Sequence, residues 1–272
     1  MKVFLSLFVV AVMFAAQPAF GALQDDLTAY LNYDSNTLDH SGNANHGTHV
    51  EGTADYVGGV SGMAIQLDGN NEHIQLANEG NFDYAANSTN AAMSISAWFK
   101  VGAFDTNWQA LVTKGEGNQF RLHRGGGGQS LNWAAGSAAT RGPNVNDGAW
   151  HHVFVSHEDG PNGNQMWIDG VDHGTWNGGT LGDNNWNFMI GENAHNNGHN
   201  REWEGDIDEV ALWGRVLSDE EISTIYAAGL QGQGIGDLIG GNGNGNGVPE
   251  PATATLALLG LGGLMMRRRR NA

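Results

Sequence analysis

The sequence predicts an all-β fold, a two-sheet antiparallel sandwich of jelly-roll type with one short helix near the C-terminal end. Three observations predict it. Gly and Asn together supply 71 of the 272 residues. Both accept positive φ, so turns should be frequent and helices rare. Met93, Ile95, Ala97 and Phe99 alternate with Ser94, Ser96, Trp98 and Lys100, which is the pattern of a half-buried strand. Asp169-Gly170 separates Met166-Trp167-Ile168 from Val171, a two-residue hairpin signal.

Further strands are expected at Gln119–His123, Trp150–His157 and Asn164–Ile168, about twelve short strands in all. Gly125–Gly128 should join two of them. No Lys-Ser/Thr follows it, so it is not a phosphate loop. The helix is marked by Ser218 as N-cap with Glu221 completing a capping box. Leu217 and Ile222 stand where a hydrophobic staple would, and Ile222, Ile225 and Tyr226 form the apolar stripe. Gly229 reads as its C-terminal stop.

Composition excludes several classes. Twelve Lys and Arg face 29 Asp and Glu, giving a formal charge of −17 and a pI near 4.8. No basic surface exists to neutralise phosphates, so nucleic acid is not an expected partner. The absence of Cys removes disulfide scaffolds, thiolate zinc sites and Cys nucleophiles.

The two ends read as addresses. Residues 1–21 have the pattern of a signal peptide: Lys2, then an apolar stretch from Val3 to Ala16. Ala19 and Gly21 stand at −3 and −1 of a cleavage before Ala22. The folded domain is expected over 22–230 and a flexible Gly/Asn linker over 231–247. Val248, Pro249, Glu250 and Pro251 follow, then the uncharged, mostly apolar run 252–266, then Arg267, Arg268, Arg269 and Arg270. Such a run is short for a membrane span, and the arginines would hold its end on the cytoplasmic side. Residues 248–272 resemble the PEP-CTERM sorting signal of Gram-negative bacteria. The resemblance implies an exosortase as partner and an inner-membrane tether lasting until the tail is removed. It also implies export to the cell surface or extracellular polymer matrix. Losing both ends leaves 7 basic residues against 28 acids, Glu250 going with the tail, so the mature portion carries about −21. Such a protein repels anionic surfaces and attracts divalent cations.

Seven segments stand in one order between the ends: Asp39–Gly47, Gly62–Gly69, His73–Leu76, Ser94–Lys100, Trp150–Val153, Trp167–Gly170, and Gly205–Val210 leading to Leu217-Ser218. Together they resemble the LamG-like, concanavalin A-like lectin/glucanase domains of bacterial surface proteins. The resemblance implies the jelly-roll fold. It does not select among the lectins, glucanases and adhesive modules built on it.

Candidate sites follow. Alternation should place Asp208 on the face of Val210 and Leu212, a costly position for a carboxylate unless something satisfies it. Backbone amides would do so, and so would calcium. The resemblance implies calcium, held by Asp208 with Asp34 or Asp39 from the N-terminal region. Glu204, Asp206 and Glu209 fit the E-x-D-x-x-E pattern of laminarinase-like glucanases, though in the last strand rather than mid-chain. His151 and His152 should point to opposite faces of one strand and so cannot share a metal. His195 and His199 read as loop residues. Trp98, Trp150, Trp167 and Trp213 fall in strand patterns and are expected in the core. Trp108, Trp133, Trp176 and Trp186 stand nearer loops beside amides, a combination suited to sugar rings. The expected function is a secreted, non-catalytic module binding extracellular polysaccharide. The alternatives are a glycoside hydrolase of the same fold and a purely structural matrix protein.

Overall fold

The computed structural model describes residues 23–116, 119–193 and 201–240. Gly21, Ala22, the sorting signal and the 252–266 run lie outside the described residues, as do His195 and His199. Among the described residues no helix is long and apolar enough to cross a membrane.

The strands run in chain order: β1 Leu27–Leu31, β2 Gly47–Val50, β3 Asp55–Gly58, β4 Met63–Asp68, β5 His73–Leu76, β6 Met93–Lys100, β7 Ala110–Thr113 and β8 Phe120–Arg124. Then follow β9 Leu131–Ala135, β10 Ser137–Arg141, β11 Trp150–His157, β12 Asn164–Ile168, β13 Val171–Trp176, β14 Met189–Ile190 and β15 Glu204–Trp213. Helix α1 spans Tyr84–Asn87, α2 Asp219–Gly229 and α3 Ile235–Ile239. The first sheet has the order β13-β12-β11-β6-β15-β4-β3, with β1 also paired to β15. The second has the order β10-β9-β8-β7-β14-β5-β2. The named strand pairs are antiparallel, so the expected two-sheet sandwich is the fold.

The interior forms as the alternation of β6 predicts. Met93, Ile95, Ala97 and Phe99 enter the core between the sheets. On the opposite face of β6, Trp98 stacks on Tyr226 of α2 with centroids 5.7 Å apart. Trp213, Phe154, Ile222, Ile225, Ile235 and Leu238 join a second apolar cluster there. The first sheet is therefore covered on both faces. Of the expected core residues, Trp213 lies in this outer cluster and Trp98 is buried against α2, while Trp150 and Trp167 are only half-buried.

Local signals are realised closely at two places. Ile168 pairs with Val171, and Asp169 and Gly170 have φ of 51° and 75°, as a two-residue hairpin with two left-handed positions requires. Ser218 and Glu221 form the capping box of α2. Three expectations need correction. Gly229 does not stop α2 through a left-handed conformation. It lies within the helix because a Cβ there would stand 2.4 Å from the Trp98 ring, so the need is for close approach. The segment expected to begin the linker at 231 is folded as far as Ile239. Ile235 and Leu238 are buried, and the Ile235 amide donates to Glu209. A second helix thus closes the domain. Finally, a bulge interrupts β15 between Asp208 and Ala211, with Glu209 at φ 52°. Ile207, Val210 and Leu212 supply the core, and Asp208 stands opposite Trp98 rather than with Val210 and Leu212. Simple alternation fails because the extra residue shifts the phase of the strand.

Candidate functional site

With the first sheet covered on both faces, the outer face of the second sheet is the one open to polar residues. In β8, Phe120 and Leu122 enter the core, so Arg121 and His123 face outward. Register then builds a polar row: His123 pairs with Asn132 and Asn132 with Thr140, and Asn132 Nδ2 donates to Thr140 Oγ1 at 3.0 Å. Burial pushes the His123 imidazole down to about 4, with Arg121 and Arg201 acting in the same direction. It is therefore neutral at pH 7. Its Nδ1 contacts the Arg124 carbonyl at 2.6 Å. Its buried Nε2 has no hydrogen-bond partner among the described residues.

Trp108 ends this row. Its ring lies 5.4 Å from His123 and it is 45% exposed. It holds φ at 62°, a left-handed conformation that costs a bulky residue energy and is kept only where the surroundings impose it. The surroundings are identifiable. The Trp108 amide donates to the Gly126 carbonyl. Arg124 donates to the carbonyls of Thr106, Gly127 and Gly128 at 2.7–2.9 Å, tying the Trp108 loop to the glycine loop. The result is a fixed aromatic face beside polar groups.

Next to it, Glu116 accepts from Arg201, faces Arg121 at 3.7 Å and accepts from Asn193 Nδ2 at 3.2 Å. Burial and the neighbouring Glu202 raise the Glu192 carboxyl above its ordinary range. The outward residues of β8 were legible in the F-R-L-H alternation of Phe120–His123. Nothing in the sequence ties Glu116, Glu192, Arg201 and Glu202 together, because loop geometry brings them to one place.

The other expected ring contacts do not gather around Trp108. Trp133 is a correction: it sits inside β9, fully buried, with Nε1 donating to the Ser156 carbonyl at 2.9 Å. It is a core residue and cannot meet a ligand. Trp176 ends β13 on the first sheet, with the Arg141 guanidinium 5.4 Å from its ring centre. Trp186 packs at Gly115, where a Cβ would lie 3.0 Å from the ring.

Of the three aspartates, Asp208 and Asp34 hold the same β3–β4 turn. Asp208 Oδ2 accepts from the amides of Val60 and Ser61 at 2.8 and 3.1 Å, and Oδ1 from Glu209 at 2.8 Å. Asp34 Oδ1 accepts from Met63 at 2.8 Å. Burial pushes Asp208 up to about 7, and Asp34 adds to the rise. Asp39 is a correction. Its two oxygens accept from the amides of Tyr30, Ser41 and Asn45 and from Ser41 Oγ. Four donors saturate a carboxylate, so Asp39 is a loop staple and not a metal ligand. Among the described residues no group of three or more His, Asp or Glu is placed to hold a metal.

Glu204 stands exposed at the start of β15, whereas Glu209 is buried within it. Glu209 is committed to Tyr30 Oη and the Ile235 amide, and Asp206 to Lys100 at 2.9 Å. His151 and His152 pair with Phe99 and Trp98, on opposite faces as expected.

A family model described as the concanavalin A-like lectin/glucanases superfamily matches residues 68–223. A PEP-CTERM protein-sorting motif matches residues 247–270. No curated protein matches the sequence. Several solved structures are similar. Domain 4 of AbnA, a GH43 extracellular arabinanase from Geobacillus stearothermophilus in complex with arabinotriose, is 22% identical, with a TM-score of 0.58 over 73% of this chain and 97% of that one. The binding domain of Paraclostridial Mosquitocidal Protein 1 is 18% identical, with a TM-score of 0.58 over 75% of this chain and 52% of that one. Trypanosoma rangeli sialidase in complex with sialic acid is 16% identical, with a TM-score of 0.55 over 75% of this chain and 33% of that one. This chain thus spans about half of the second structure and a third of the last. At these identities the likeness establishes the fold, which binding domains and glycosidases share.

Proposed function

The chain belongs to the concanavalin A-like lectin/glucanase superfamily, and on that premise we propose that its sandwich is a carbohydrate-binding module of the extracellular polymer matrix. The PEP-CTERM motif marks it for exosortase-dependent processing and export to the surface of a Gram-negative bacterium. The observation that carries the binding reading is Trp108, an exposed aromatic face held in a left-handed conformation beside a row of amide, hydroxyl and imidazole groups. A pyranose or furanose presents one apolar C–H face and a polar rim, and this arrangement suits both. Replacing Trp108 by Ala should weaken binding to a recognised neutral polysaccharide at least tenfold, about 1.4 kcal/mol, and leave the melting temperature unchanged or higher. Titration of the exported protein with soluble polysaccharides tests this. Unchanged affinity in the variant would remove the site.

Calcium is the second part of the proposal. Asp34 and Asp208 would hold it against the β3–β4 turn, where burial and the Asp34 charge raise the proton affinity of the Asp208 carboxyl. A hard divalent cation takes oxygen ligands and would relieve that repulsion. Adding calcium to chelated protein should raise the melting temperature by several degrees. Asp34→Asn, at an exposed position, should abolish the rise. No rise in the wild-type protein rules calcium out at this place.

A further inference from the structure

A cavity of about 490 Å³ opens at the N-terminal edge of the domain, between the turn before β1, the Asp39–Gly47 loop and α1. It shares no residue with the Trp108 site. Gln24, Asp26, Asn43, Asn81, Asn87 and Gly214 are among the residues that line it, and no Lys, Arg or His is.

The orientation of its amides is fixed from within. Asn43 Nδ2 donates to the carbonyls of Leu27 and Thr28 at 2.7 and 3.0 Å. Asn45 Nδ2 donates to the Thr28 carbonyl at 2.8 Å, which turns its Oδ1 to accept from Asn81 Nδ2 at 2.8 Å. Asn87 Nδ2 donates to the Gly80 carbonyl at 2.7 Å and Gln24 Nε2 to the Ser41 carbonyl at 3.3 Å. Of the two ends of a side-chain amide only the nitrogen can donate to a carbonyl oxygen, so these amides cannot be flipped. Five amide nitrogens are thus tied to the protein. Among the described residues no donor reaches the oxygens of Gln24, Asn43, Asn81 and Asn87, and the exposed Asp26 carboxylate stands with them. The cavity is rich in acceptors and carries no cation.

We propose that this cavity is a second glycan site, and that it takes a non-acidic sugar unit rich in O–H or N–H donors. Its volume suits a small organic ligand rather than a bare cation, whose oxygen ligands must converge to 2.3–2.6 Å. Acidic sugars are disfavoured twice. The cavity has no cationic partner, and the cations of the mature domain are occupied elsewhere: Lys100 with Asp206, Lys114 with Glu79, Arg121 and Arg201 with Glu116, Arg215 with Glu221, Arg124 with three carbonyls, and Arg141 over Trp176. The proposal shares the carbohydrate reading above but none of its residues, so the two stand or fall separately.

The test uses calorimetric titration of the exported protein with three probes: neutral hexose and pentose oligosaccharides, partly deacetylated amino-sugar oligomers, and uronate oligomers. Gly214 has room for a side chain, since a Cβ there meets no atom closer than 3.9 Å. In the Trp108→Ala background, Gly214→Trp should plug the cavity and abolish the remaining binding of the neutral or amino probe with the fold retained. Asn87→Ala and Gln24→Ala, both at exposed positions, should each weaken it several-fold. Trp108→Ala should leave this binding in place. The proposal is overturned by binding of the uronate probe alone, by binding indifferent to Gly214→Trp, or by no binding of any probe.

Discussion

Replacing Lys114 by Ala should destabilise the domain by about 3–5 kcal/mol and lower its melting temperature by roughly 10 °C. The ammonium of Lys114 is fully buried. It donates to Glu79 Oε2 at 2.6 Å and to the carbonyls of Asn184 and Trp186 at 3.1 and 2.7 Å, and it stands 3.3 Å from Asp83 Oδ1. One cation thus gathers the segment before α1 and the long loop before β14 onto the end of β7. Truncation leaves a carboxylate and two carbonyls without their donor in a water-poor site. Lys114→Met keeps most of the volume and should lose nearly as much, which separates lost charge from lost packing. A loss below 1 kcal/mol in denaturant unfolding would show that water replaces the ammonium.

Stability measured in chelator should fall by about 2 kcal/mol as pH rises from 6.5 to 8.5. Burial pushes Asp208 up to about 7 and Glu209 up to about 8. Glu192, raised to about 7 by burial, acts in the same direction, so at the low end of this range the folded protein holds protons on three carboxyl groups that the unfolded chain has already released. Stability that is full below the unfolded carboxyl range is lost as pH passes the folded values. The neutral, buried His123 and His152 act with the opposite sign. Their effect appears only below the ordinary imidazole value of about 6.5, outside this window. Asp208→Ala should remove most of the Asp208 share. It should also cost about 3 kcal/mol at pH 6.5, because three backbone amides lose their acceptor. A flat profile from 6.5 to 8.5 would mean that these carboxyl groups ionise freely in the fold.

Much of the architecture was legible because it rests on local rules. The alternation of β6, the Asp169-Gly170 turn and the Ser218 box each depend on residues adjacent in sequence. What was not legible depends on contacts from afar. The bulge at Glu209 is imposed by Tyr30 and the amide of Ile235, which both bind its carboxyl group, and it re-aims Asp208. Trp133 looked peripheral beside Asn132, yet its own strand alternation puts it in the core with Leu131 and Ala135. Of four ring candidates, only Trp108 stands as a free face, and its distinguishing feature is a backbone angle that no composition encodes. The amides of the Asp39–Gly47 loop were visible as a motif. Their direction was not, since it is set by carbonyls of β1.

The central position of β15 bears on how the chain leaves the cell. This strand lies between β6 and β4 and also receives β1, so three earlier strands lack a neighbour until residue 213 has emerged. A chain delivered from its N-terminus cannot complete the first sheet during transit. It stays threadable until nearly the whole domain is across. β15 and α3 close the structure just ahead of the sorting motif at 247–270, so the order of synthesis keeps folding behind translocation.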